Sequence, residues 1–216
     1  MKQARRPFQF VDAFYLVVVG LDSAHTLRDF RKQLGEVSQL CIFCHTFHSL
    51  ATHHYTSYSS DFAQWTMAAC NENELAEQLG AIDVRAFVDL EDLRAALVRV
   101  VDGYLAAHSA SGDRPAFEPF YFSETREVVL PVDRRASNLA EMSESLRHLS
   151  LHSLHYHFVN SRLRLHLGTN DFSYWIEHEL GFPELAAQIN LVDFYTNTLR
   201  EVRAEIIDCI TPWIGR

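Results

Sequence analysis

The feature that most constrains this chain is that its second half restates the first in order. Pro7-Phe-Gln-Phe10 recurs as Pro119-Phe-Tyr-Phe122. At the same offset Val17 meets Val129, Leu27 meets Leu139, Leu34 meets Leu146, Ser38 meets Ser150 and His45 meets His157. After a small gap, Asp61-Phe62-x-x-Trp65 meets Asp171-Phe172-x-x-Trp175. Glu74-Leu-Ala-x-Gln78 then meets Glu184-Leu-Ala-x-Gln188, and Asp83 meets Asp193. A further one-residue shift aligns Leu90, Arg94 and Ala95 with Leu199, Arg203 and Ala204. Each match is weak alone; in series they read as a tandem duplication. The expected organisation is copy one over 7–107, a Ser-, Ala-, Gly-, Asp- and Pro-bearing linker over 108–118, and copy two over 119–210, both in one compact unit.

Within each copy the patterning is mostly helical. Phe8–Val19 and Phe120–Leu130 fit either a strand or a short helix, because alternation and β-branched residues coexist with helical spacing. Thr26 is placed to cap a helix over Leu27, Phe30, Leu34 and Val37, and Ser38 to cap the next. In that second helix Leu40, Phe43, Cys44, Phe47, Leu50 and Ala51 form the expected apolar stripe. Ser60 or Asp61 caps a short helix with Phe62, Trp65 and Ala69 on one side, and Asp89 opens the last helix of the copy. The expected fold is therefore mainly α: two tandem helical repeats packed about a pseudo-two-fold axis, each opened at most by a short strand. The central helices would bring His45 and His157 toward a common centre.

Composition narrows the function. A formal net charge of -9 excludes a general binder of nucleic acid or anionic membrane, both of which require a basic surface. Lys2, Arg5 and Arg6 before Phe14–Val19 look faintly like an export signal, but Gln9 and Asp12 interrupt the apolar part. Its counterpart in mid-chain marks the segment as part of the fold, so a cytoplasmic location is expected. No run approaches the ~20 apolar residues of a membrane span. Four cysteines are too few and too unevenly spaced for a disulfide scaffold and fit reduced thiols.

Of twelve histidines, nine gather near residues 45–54 and 148–166, and histidine is both a metal ligand and a proton carrier near neutrality. Cys41-Ile-Phe-Cys44-His45 has the C-x-x-C-H spacing used to attach c-type haem, yet copy two keeps only the histidine. On a helix Cys41, Cys44, His45 and His48 share one face, but the ends of that stripe lie roughly 10 Å apart, too far for one tetrahedral ion. Candidate metal ligands are thus His45, His48, His53, His54 and Cys41, completed by a second element. A divalent transition metal is the cofactor such a set would take. The bland reading is a polar helix face or seam. In copy two, His155 and His157 with Arg162 and Arg164 could hold an anionic small molecule such as a sugar phosphate. Trp65 and Trp175 read first as core anchors and second as sugar-stacking surfaces, and Asp61 and Asp171 first as helix caps. No Ser-His-Asp order, His-Glu-x-x-His signature or phosphate-cradling glycine loop is present.

Through the phrases Cys41–His45 and Leu154–Phe158, the paired Asp-Phe-x-x-Trp segments, and Glu-Leu-Ala ahead of Asp83 and Asp193, the chain resembles an uncharacterised prokaryotic family catalogued as domain of unknown function 5752. The resemblance runs from about Pro7 to Ile210. His45, His53-His54-Tyr55 and Asn170-Asp171-Phe172 match the family's pattern; Cys44 stands where an aromatic residue is expected. Membership implies no activity, only an association with sugar and glycan metabolism. The leading expectation is a non-enzymatic binding or accessory protein with a polar, histidine-lined pocket between the repeats. The alternatives are a metal-dependent enzyme using the same histidines with Asp61 or Asp171, and a haem protein. Partners are expected to be a small molecule or a protein, with no nucleic acid and no membrane, the chain itself being a monomer or a homodimer.

Overall fold

The computed structural model describes residues 2–49, 58, 60–194 and 196–215, without the side chains of residues 85, 164 and 165. Its chain order is strand β1 (Phe8–Ala24), helices α1 (Leu27–Glu36), α2 (Gln39–Phe43), α3 (Asp61–Ala68), α4 (Asn73–Gly80) and α5 (Leu90–Ala107), then strand β2 (Phe120–Ala136). Helices α6 (Leu139–His148), α7 (Leu151–Leu154), α8 (Ser161–Leu165), α9 (Asp171–His178), α10 (Pro183–Asn190) and α11 (Leu199–Ile210) follow. After both α2 and α7 the chain widens into a π-helical turn, Cys44–His48 and His155–Asn160.

The fold expectation needs correction. In place of two helical repeats about a pseudo-two-fold axis, each with at most a short opening strand, the chain builds two strands of 17 residues and pairs them in one two-stranded antiparallel sheet. Gln9 reaches the carbonyls of Val132 and Arg134, while Gly20 lies against the carbonyl of Phe122, so the strands run in opposite directions. The β-branched runs Val17–Val19 and Val128–Val129 each lie opposite the other strand, and that pairing resolves the strand-or-helix ambiguity, which a local pattern cannot show.

The chain divides into two compact units. One comprises Met1–Phe14 with Glu127–Arg216, the other Tyr15–Arg126. Each strand therefore gives its first half to one unit and its second half to the other. In the Tyr15–Arg126 unit, Phe120 and Phe122 of β2 meet Phe30 of α1 and Phe62 of α3, with Trp65 against Phe30 and Phe120 at 5.2 and 5.6 Å. In the other, Phe8 and Phe10 of β1 meet Phe172 and, for Phe8, Trp175 at 5.9 Å. All four strand phenylalanines are buried, each stabilising its unit by about 1.5–3 kcal/mol.

Local signals place the helices. Thr26 and Ser38 accept the N–H groups of Asp29 and Cys41 as N-caps, Asp89 caps α5, and Thr198 with Glu201 forms a capping box on α11. The expected stripe on α2 is rotated: Leu40 is exposed, while Cys41, Ile42, Cys44, His45 and Phe47 are buried. The π-helical turn spreads buried positions around more of the helix than a 3.6-residue period allows. Leu50, Ala51, His53, His54 and Tyr55 lie outside the described residues. Among the described residues, no helix is long and apolar enough to cross a membrane.

Candidate functional site

His45 sits in the π-helical turn after α2, 5% exposed, with both ring nitrogens engaged. Nδ1 lies 2.7 Å from Asp61 Oδ2, and Nε2 lies 2.8 Å from the backbone nitrogen of Ser123 on β2. An amide N–H can only donate, so Nε2 is the acceptor and the ring proton sits on Nδ1, donated to the aspartate. His157 does the same in its own unit. It is 4% exposed, with Nδ1 2.7 Å from Asp171 Oδ2 and Nε2 accepting the Val11 N–H of β1 at 3.1 Å. Ser153 adds a bond to the Val11 carbonyl. The two aspartates thus orient histidines that hold a strand edge. Asp61 does not cap its helix: Ser60 is the N-cap residue of α3, with its hydroxyl on the His45 carbonyl and no side-chain capping bond, and Asn170 caps α9.

The two histidines belong to different units, each locked to the aspartate and strand of its own. In this arrangement neither ring offers a lone pair to a metal ion or a substrate proton. The thiols of Cys41 and Cys44 are pushed up to about 12, chiefly by burial, so both stay protonated and neither acts as a thiolate ligand or nucleophile. The C-x-x-C-H stretch is therefore closed to haem attachment as folded. His48 faces the Tyr15 ring at 5.2 Å, and His53 and His54 fall outside the described residues. Among the described residues, no group of three or more His, Cys, Asp or Glu could hold a metal ion.

The proposed anion site divides as well. His155 and Arg162 are buried, with Arg162 Nη2 3.4 Å from the Asn190 carbonyl. The Arg164 side chain is outside the described atoms. Trp65 and Trp175 are core anchors with a second task. Each indole N–H donates to the carbonyl just ahead of a Pro-Phe-x-Phe segment, Glu118 and Arg6 respectively, both at 2.8 Å. Tryptophan, histidine and aspartate together fasten each strand to its helices.

Sequence reasoning missed the pocket beside this fastening in the Tyr15–Arg126 unit. It has a volume of about 410 Å³ and is lined by Asp61, Gln64, Trp65, Ala68, Phe117 and Glu118. The Phe117 ring is 87% exposed, and the Gln64 side-chain oxygen is buried without a hydrogen-bond partner. Its polar side chains are two carboxylates and an amide, a set dominated by acceptors. At the matching positions of the other unit, Tyr174 and His178 stack at 4.1 Å where Gln64 and Ala68 stand here. The available signal was Phe117 itself, a lone large apolar residue at the end of a polar linker.

No curated protein matches the chain. Among solved structures, that described as "The structure of OrfY from Thermoproteus tenax" matches with a TM-score of 0.85 and 28% sequence identity, over 99% of this chain and 98% of that one. A family model described as a family of unknown function, DUF5752, matches residues 5–211, and with nearly the whole length accounted for, the chain belongs to that family.

Proposed function

We propose that the chain is a non-enzymatic binding or accessory protein of carbohydrate metabolism. Its ligand is a hydroxyl-rich small molecule, a sugar or short glycan, held in the pocket at Asp61, Gln64, Phe117 and Glu118. The observation that carries this reading is the pairing of an exposed aromatic face with an acceptor-rich wall. Sugar hydroxyls supply donors to carboxylate and amide oxygens, while the C–H face of the ring packs on an aromatic surface. A binding role is also favoured over a catalytic one because the histidines that look most chemical are consumed in holding strands. Free, largely buried cysteines suit a reducing cytoplasm.

Trp65 lines the pocket, so its fluorescence is the readout. Titration with maltose is expected to change the emission with a Kd of about 1 mM, near -4 kcal/mol, and Phe117→Ala to abolish the change. No response in the unmodified protein to maltose, glucose or cellobiose would contradict the reading.

A further inference from the structure

From Ala13 to Leu21 the chain reads Ala-Phe-Tyr-Leu-Val-Val-Val-Gly-Leu, with neither charge nor proline. Within the Tyr15–Arg126 unit, Leu16, Val17, Val18, Val19 and Leu21 of β1 are all exposed, Val19 by 66% and Leu21 completely. A strand with one face on a core alternates buried and exposed residues; this one is open on both faces. It also belongs to a two-stranded sheet, so among the described residues β1 has a strand neighbour on one side only. Strand edges left to water carry protection: lysine, proline, a bulge or inward charge. β2 has such features in Glu124, Arg126, Glu127, Pro131 and Asp133, and elsewhere its Ser123 N–H is covered by His45. Leu16–Leu21 has none.

We propose that Leu16–Leu21 of β1 docks against the same stretch of a second copy of this chain, antiparallel and about a two-fold axis. The exposed parts of these five residues amount to about 600 Å² per copy, or roughly 1,200 Å² in a pair, the lower end of stable protein interfaces. That is the full exposed area on both faces of the strand; edge pairing covers part of it, and the backbone hydrogen bonds along the edge add to what it contributes. Antiparallel pairing of one sequence with itself is isologous, and it gives the outward N–H and C=O groups of β1 their partners. Because the stretch is uncharged, pairing brings no like charges together despite the net charge of -9. That same charge disfavours an anionic lipid surface as the occupant.

Sedimentation equilibrium of the full chain tests this. The protein is expected at twice its monomer mass, and Val19→Lys and Leu21→Lys each to weaken the dimer at least tenfold with unchanged far-ultraviolet circular dichroism. Leu21 contributes nothing to the monomer's core, so its variant reads association alone. Independently, amide exchange across Leu16–Leu21 is expected to slow as protein concentration rises. A monomeric wild type overturns the proposal, whether it floats with phosphatidylcholine vesicles or not. So does a dimer indifferent to both lysines, or exchange that ignores concentration.

Discussion

His45 and His157 show how a polar side chain lives in an apolar core. Each donates from Nδ1 to an aspartate and accepts a strand N–H at Nε2. Nitrogen-15 spectra should accordingly show Nε2 unprotonated and hydrogen-bonded in both rings, with no change on adding zinc; movement of either resonance by the metal would count against the assignment. His45→Phe keeps the ring's bulk but leaves the buried Ser123 N–H without its acceptor, an unsatisfied group costing about 1–3 kcal/mol. Urea unfolding should therefore show a loss of about 2 kcal/mol. The thiols give a pH dependence. Burial raises Cys41, Cys44 and Cys70 from 9.0 to about 12, so the folded chain keeps protons that the unfolded chain releases. This stability is fully present below pH 9.0 and is lost as pH rises toward 12. The urea midpoint should fall between pH ~8 and pH ~10 and do so less when Cys70 is replaced by Ala.

At the scale of elements, the strands are held by close approach as well as by side chains. A Cβ on Gly20 would lie 2.1 Å from the Phe122 carbonyl oxygen, a backbone atom that cannot step aside. Gly20→Ala should part the strands there and lower the thermal midpoint by several degrees; an unchanged midpoint would show that the ribbon yields freely. Helix boundaries were legible in the sequence because caps are local: Thr26, Ser38 and Asp89 act within three residues of themselves. The aspartates misled for the same reason. Asp61 and Asp171 stand at helix starts, yet their partners are histidines 16 and 14 residues earlier. The length of the strands was also hidden, since Phe14–Val19 takes its conformation from a partner more than a hundred residues away.

For the whole molecule, matching Pro-Phe-x-Phe segments and histidines pointed to the right residues but not to which helices each strand would serve. Phe8 and Phe10 pack on Phe172, while Phe120 and Phe122 pack on Phe30. Chain order alone would have assigned them the other way, because hydrophobic burial records no address. The linker residue Phe117, which lines the pocket, escaped for a related reason: its role depends on α3, not on its neighbours. A compact unit made of residues 15–126 contains its own strand pair and its own histidine clasp, whereas residues 1–107 lack Phe120, Phe122 and Ser123. The most direct test expresses these two fragments separately and follows unfolding by urea. A cooperative transition is expected for 15–126 and none for 1–107; a cooperative, monomeric 1–107 beside an unfolded 15–126 would overturn the assignment of each strand to its unit.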